Sequence, residues 1–273
     1  MFFVRKVREM NNFFLDLGNG MIPWYAIVIC AVLVYFLGNI NPAILLGRAK
    51  GVDIRSQGSG NAGATNALRS LGKKAGAITF IIDVIKGWVG YAVPYYFFLH
   101  MGIQNKAVLD AVLSSQSSDE NLAIVSAWSS AIIAAAMLCG LCVALGHMYP
   151  VVFGFRGGKG VSTVFGVLLA ESWPYALILL AVVVVFTLIF RRVSLSVLIA
   201  VAVALVLVFW NGLGVTGAEP LWIVILLALV VFKHRSNISR LVHGKEPKLS
   251  FGKSKEEATD KEAANKEAKG EEN

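Results

Sequence analysis

Three stretches of this chain combine glycines, hydroxyls and carboxamides with a few cations, the composition that grips oxyanions. The first is Gly58-Ser59-Gly60-Asn61-Ala62-Gly63-Ala64-Thr65-Asn66-Ala67-Leu68-Arg69. Small residues let backbone amides approach a phosphate closely, while Ser59, Asn61, Thr65 and Asn66 add donors. A helix starting near Thr65 would add a favourable dipole, and Arg69, one turn on, could supply a bidentate fork. The second stretch is Gly146-His147-Met148-Tyr149-Pro150, then Phe153 and Phe155-Arg156-Gly157-Gly158-Lys159-Gly160-Val161-Ser162-Thr163. It is not a Walker A loop, because Phe153 stands where its first glycine belongs and Gly160 where its magnesium-binding hydroxyl belongs. What survives is Lys159 in a cradle of Gly157 and Gly158 that opens a helix, a general phosphate device. The third is His234-Arg235-Ser236-Asn237-Ile238-Ser239-Arg240-Leu241, followed by Gly244 and Glu246. On a helix, His234, Asn237 and Arg240 share one face. Each stretch alone also fits a blander role: a flexible loop, a positive-inside loop or a basic stop signal.

The elements that must position these residues are transmembrane helices. Of 273 residues, 56% are hydrophobic and 15% charged, against roughly half and a quarter in soluble domains, and the mean hydropathy is +0.67. The pattern predicts an all-α integral membrane protein of about seven transmembrane helices. Spans are expected over Trp24–Leu46, Ala75–Leu99, Ile124–Leu145, Trp173–Phe190, Ser194–Trp210 and Pro220–Phe232. Val164–Ala170 is too short for a core that needs about 20 helical residues, so it reads as a half-depth helix. Residues 100–123 read as a polar connection. Continuing helix seven into the third basic stretch would point the face shared by His234, Asn237 and Arg240 at the other loops. Residues 1–22 form an N-terminal extension, 23–246 the membrane domain, and 247–273 a Lys/Glu/Ala-rich tail that cannot bury a core. Asp83 and Lys86, at i and i+3 within the second span, should form an ion pair that braces the site. His147 ends a helix, where capping and chemistry are both open roles.

Strict alternation through the bilayer puts residues 48–74, 147–163, 191–193 and 233 onward on one side. Lys and Arg concentrate there, as the positive-inside rule requires; Arg5, Lys6 and Arg8 are the exception. The net charge of +8 is thus explained by loop position, which argues against nucleic-acid binding. The apolar run from about Pro23 carries no small-residue cleavage pattern and reads as a retained helix. Cys30, Cys139 and Cys142 all lie in apolar runs, so Cys139-x-x-Cys142 reads as helix packing, with no disulfide framework and no metal site.

GSGNAGATNALR, GHMYPVVFGFRGGKGVST and HRSNISRLVHGKE, in that order and with DVIKG in the second span, resemble the PlsY-type glycerol-3-phosphate acyltransferases of bacterial membranes. The likeness runs over about residues 23–246. It implies seven helices, an outside N-terminus, an inside C-terminus and an active site open to the cytoplasm of the bacterial plasma (inner) membrane. It implies transfer of a fatty acyl group from a long-chain acyl phosphate to the 1-hydroxyl of sn-glycerol 3-phosphate, giving lysophosphatidic acid and inorganic phosphate. No cofactor is implied. The partners implied are the two substrates, the lipid bilayer and the soluble phosphate acyltransferase that makes acyl phosphate.

By the same resemblance Ser59, Arg69, Lys159, His234 and Asn237 correspond to positions that bind the substrates, and Ser194 or Ser196 to a serine of the sixth span. Arg69, Lys159, His234 and Asn237 are then expected to hold the acceptor phosphate. Ser59, Asn61, Thr65 and nearby amides would hold the acyl phosphate, with Gly58, Asn66, His147, Gly157, Gly158, Ser162 and Thr163 completing the binding surface. Asp83, Lys86 and Glu246 are expected to be structural. None of His100, His147, His234 or His243 has an Asp five residues later, so the H-x-x-x-x-D chemistry of thioester-using acyltransferases is absent. A transporter of a small phosphorylated anion is the competing class, but such proteins tend to show repeats and broken helices near the midplane, and no repeat is evident.

Overall fold

The computed structural model describes residues 22–105, 108–110, 119–210 and 219–249, and among them it is helical throughout, without strands. The chain enters the membrane as α1, Trp24–Asn39. The helix breaks at Ile40 and Asn41 and resumes as α2, Pro42–Ala49, where the sequence pattern predicts one unbroken span. The cause is local: Asn41 caps the new helix by accepting from the Ile44 amide at 3.0 Å, and Pro42 fills its first turn. After a short 3₁₀ turn at Ile54–Ser56 come α3, Ala64–Leu71, and the long α4, Lys73–Ile103.

Helix α5, Asp119–Met148, forms the axis of the bundle and packs against α1, α4 and the later α9. Residues 100–123 are therefore not simply a polar loop: both flanking helices extend into them, and residues 106–107 and 111–118 lie outside the description. A second 3₁₀ turn, Val151–Phe153, leads to α6, Val161–Glu171, only 11 residues long. At 1.5 Å per residue it spans roughly 16 Å, about half a bilayer core, as the sequence predicts. Then follow α7, Trp173–Phe190, α8, Val193–Trp210, and α9, Glu219–Lys233.

Helix α9 does not continue straight. It bends by 56° at His234 into α10, Arg235–Val242. His234 and Asn237 line the same cavity as the polar loops. Beyond α10 the chain stays packed as far as Leu249, past the expected boundary of the tail: Leu249 is buried and its amide donates to Arg191 O at 2.6 Å. Expectations for residues 1–21 and 250–273 lie outside the described residues.

Five helices or helix pairs are long and apolar enough to cross a membrane, six with the bent α9–α10 pair, and α6 is a shorter apolar helix. The chain is a multi-pass membrane protein. Its outer surface presents large apolar side chains to lipid, among them Leu33, Leu188, Phe209 and Trp210. Small residues set the inner crossings. A Cβ on Gly87 would strike the Thr163 carbonyl and one on Gly166 the Val84 carbonyl, so α4 and α6 touch backbone to backbone. That contact fixes the start of α6, and with it Lys159, against the middle of α4.

Candidate active site

The first glycine-rich loop is shaped from within by Asn66. This residue is 1% exposed; its Oδ1 accepts from the Ser59 amide at 2.9 Å, and its Nδ2 donates to Ile54 O at 3.0 Å and Gln57 O at 2.9 Å. Its carboxamide thus folds the loop and holds Ser59 at the rim. Asn41 ties the loop to the break in the first span by donating to Ala62 O at 3.1 Å. An Asn before a Pro is a helix-start signal, so the cap was open to sequence reading, but the tie to Ala62, 21 residues on, was not. Helix α3 begins behind Gly63 with no side chain capping its amides, which leaves donors for a ligand.

The second loop lies over His147. Gly158 donates its amide to His147 O at 3.1 Å. A Cβ at Gly158 would overlap the His147 ring and stand 2.8 Å from Ala62 O, and one at Gly157 would overlap the His147 carbonyl. The two glycines therefore let the Lys159 loop close onto the end of α5 and the first loop together. Gly160, at φ +78°, turns the chain into α6, whose first turn also lacks a side-chain cap. Burial pushes the Lys159 pKa down to about 8; Arg240, Arg69 and Lys233 push the same way, against Glu246. The ammonium makes no hydrogen bond among the described residues.

Glu246 organises the third wall. Its Oε1 accepts from Ser194 Oγ at 2.6 Å and Asn237 Nδ2 at 2.7 Å, and its Oε2 from Arg240 Nε at 2.8 Å. Burial pushes the carboxyl up, but these bonds more than offset it and hold it below the usual carboxylate range. A carboxylate only accepts, so the Asn237 amide nitrogen must face Glu246. Its Oδ1 is then left buried with no partner among the described residues. His234 is fixed by the same logic. Its Nδ1 lies 2.7 Å from Val230 O, an acceptor, so Nδ1 carries the proton and the neutral ring keeps Nε2 as an acceptor.

Beneath the loops, Asp83 and Lys86 form the predicted pair at 2.7 Å, almost wholly buried. Lys86 Nζ also donates to Ile40 O at 2.6 Å and Gly38 O at 3.3 Å, and lies 2.8 Å from His147 Nδ1. One ammonium thus ties the broken end of α1 to α4 and α5. His147 Nδ1 also lies 3.3 Å from Asp83 Oδ1, so this ring nitrogen sits between the ammonium and the carboxylate.

One cavity collects these parts. Ser59, Asn61, Thr65, Asn66 and Arg69 line it from the first loop and α3; His147, Lys159 and Ser162 from the second; Ser194, His234, Asn237 and Glu246 from the third, with Asp83 at its floor. Arg69 and Lys159 therefore share one side of the membrane, as the threading requires. Gly157, Gly158, Thr163, Ser196 and Lys86 are not on the lining: Ser196 Oγ donates to Arg192 O at 3.1 Å, and Thr163 is fully buried; Gly58 is exposed and also lies off the lining. Sequence reading missed the apolar liners Phe80, Val183, Val193 and Val197, which carry no signal distinct from other lipid-span residues, and Pro247.

The comparisons agree with this geometry. Residues 28–244 match the family profile described as glycerol-3-phosphate acyltransferase. A glycerol-3-phosphate acyltransferase of Clostridioides difficile is 37% identical over 228 residues, covering 82% of this chain and 96% of the relative. A protein named glycerol-3-phosphate acyltransferase 2 from Bacillus cereus is 37% identical over 239 residues, covering 85% and 98%. The fold resembles crystal structures of PlsY, an integral membrane glycerol 3-phosphate acyltransferase. The glycerol 3-phosphate form gives a TM-score of 0.63 at 32% identity, covering 82% of this chain and 96% of that one. The lysophosphatidic acid form gives 0.60 at 31%, covering 82% and 95%.

Proposed function

Because the chain belongs to the glycerol-3-phosphate acyltransferase family, we propose that it transfers a fatty acyl group from acyl phosphate to the 1-hydroxyl of sn-glycerol 3-phosphate. The products are lysophosphatidic acid and inorganic phosphate. The observation that carries this reading is the continuity of two cavities of opposite character. The polar one holds Lys159, Arg69 and the uncapped starts of α3 and α6. It opens into an apolar groove lined by Phe165, Leu168, Leu179, Ala200, Leu227 and their neighbours. A phosphorylated headgroup with a long alkyl chain fits such a pair, and a small soluble anion has no use for the groove.

The roles follow from donor and acceptor chemistry. Lys159 and Arg69 supply charge for the phosphates, and the first-turn amides of α3 and α6 supply fixed donors. The third wall offers acceptors, Asn237 Oδ1 and His234 Nε2, which suit the hydroxyls of glycerol better than a phosphate. Both residues are accordingly assigned to orient the acceptor's hydroxyls. The acyl phosphate is a mixed anhydride with a good leaving group, so the attacking hydroxyl needs alignment more than a strong base, and a phosphate oxygen can take its proton. The site faces the cytoplasm of a bacterial plasma membrane, with the N-terminus outside and the C-terminus inside. A soluble enzyme that makes acyl phosphate supplies the donor.

The test is phosphate release from palmitoyl phosphate by detergent-purified protein, with and without glycerol 3-phosphate. Release that requires both substrates, and is abolished by Lys159→Glu in a folded protein, is expected. No release, together with glycerol 3-phosphate uptake into proteoliposomes, would replace this reading with a transporter.

A further inference from the structure

We propose that Ser162 is a further catalytic residue, whose hydroxyl donates to the acyl oxygen as negative charge builds there. The inference rests on the acyl-transfer reading above and adds a group to it. The polar cavity and the apolar groove share five lining residues: Phe80, Val161, Ser162, Val183 and Val197. An acyl phosphate changes character at one carbon, with phosphate on one side and the alkyl chain on the other. A molecule lying across both cavities therefore sets its carbonyl beside those five residues. Four of them are apolar. Ser162 alone has a polar side chain there, and its hydroxyl makes no hydrogen bond among the described residues.

Two further features favour that spot. Ser162 is the second residue of α6, an 11-residue helix whose N-terminal cap supplies no side-chain bond, so amides of its first turn stand beside the hydroxyl. Asn237, whose buried Oδ1 has no partner among the described residues, lines the same cavity and marks it independently as a place where a polar ligand completes the hydrogen bonding.

The step balances without another reagent. The 1-oxygen of glycerol 3-phosphate forms a bond to the acyl carbon while the carbonyl π pair moves onto its oxygen. That pair returns as the bond from carbon to the phosphate oxygen breaks, and the hydroxyl proton leaves on phosphate. Full negative charge sits on the acyl oxygen only between these events. A donor aimed there lowers the barrier without tightening the hold on either substrate.

The experiment compares wild type, Ser162→Ala and Ser162→Thr in detergent, with palmitoyl phosphate and glycerol 3-phosphate as substrates. Hexadecylphosphonate, which has the chain and the charge but no carbonyl, serves as inhibitor. Ser162→Ala should lower kcat about 100- to 1,000-fold, with both KM values and inhibition by hexadecylphosphonate unchanged. Ser162→Thr keeps the hydroxyl and should keep most of kcat. Undiminished kcat in Ser162→Ala overturns the proposal, and so does a loss of inhibitor binding in step with kcat, which marks a structural role. Should Ser162→Ala not fold by thermal unfolding, Ser162→Cys carries the same comparison, since a thiol is a weak donor. An inactive wild type would sink the acyl-transfer reading itself, whereas an active wild type with an equally active Ser162→Ala sinks only this inference.

Discussion

Asn237 donates its amide to Glu246 Oε1 at 2.7 Å, across nine residues of chain that include the turn at Gly244. That bond sets the direction of the Asn237 carboxamide, and so the polarity of the wall that faces the acceptor. The same carboxylate oxygen takes the Ser194 hydroxyl, so one acid orients two polar side chains from different helices.

Glu246→Gln should therefore damage recognition of the acceptor more than the protein itself. A glutamine can present a donor to Asn237 or to Arg240, and either mismatch disorders the wall. With glycerol 3-phosphate, kcat/KM should fall about 10-fold or more, as loss of a charge-assisted hydrogen bond implies. With 3-hydroxypropyl phosphate, which lacks the 2-hydroxyl, the fall should be smaller. Equal losses on the two acceptors would show that Glu246 does not act through hydroxyl recognition.

The ion pair of Asp83 and Lys86 predicts a stability effect. Lys86→Met leaves a carboxylate buried without its cation and frees the carbonyls of Gly38 and Ile40. Breaking such a pair costs about 3 to 5 kcal/mol, so thermal unfolding in detergent should shift downward by many degrees. Adding Asp83→Leu should recover part of the loss, because the lone charge is gone. A Lys86→Met protein as stable as wild type would mean that the pair does not brace the helices.

Lys159 predicts opposite pH trends in binding and stability. Burial pushes its pKa down to about 8 in the folded protein, against 10.5 for an ordinary lysine. Below pH 8 the folded protein carries the cost of holding a partly buried ammonium. Between about pH 8 and 10.5 the unfolded chain binds more protons than the folded one, so this contribution to stability rises with pH. Phosphate binding favours the charged form, and a phosphate monoester with a second pKa near 6 stays dianionic above pH 7. The KM for glycerol 3-phosphate should therefore climb above pH 8, while Lys159→Arg, always charged, should lose that limb. A flat KM from pH 7 to 9.5 in the wild type would contradict the placement of Lys159 against phosphate.

Gly158 predicts a steric effect at a distance from the lining. The Cβ of Gly158→Ala meets the His147 ring and the Ala62 carbonyl, so the lysine loop must lift off both. The KM for glycerol 3-phosphate should rise about 10-fold or more, since small misplacements of binding groups are costly. Wild-type kinetics in this variant would show that the loop tolerates the shift.

By itself the sequence determined a membrane bundle and most of the site's lining. Apolar runs near 20 residues must lie in lipid, and the shortness of α6 is legible because Glu171 and Pro174 bound it. The motifs that carry Ser59, Arg69, Lys159 and Asn237 are local, so spacing alone exposes them. Tertiary structure decided what spacing cannot encode. The bend at His234 carries no side-chain cap or proline that spacing could reveal, and the reach of Lys86 to the end of α1 depends on which carbonyls the fold brings close. The polarity of Asn237 and His234 is of the same kind: each can present a donor or an acceptor. For His234 the choice is made by the Val230 carbonyl one helical turn back, and for Asn237 by Glu246, which only the turn of the folded chain brings within hydrogen-bonding distance.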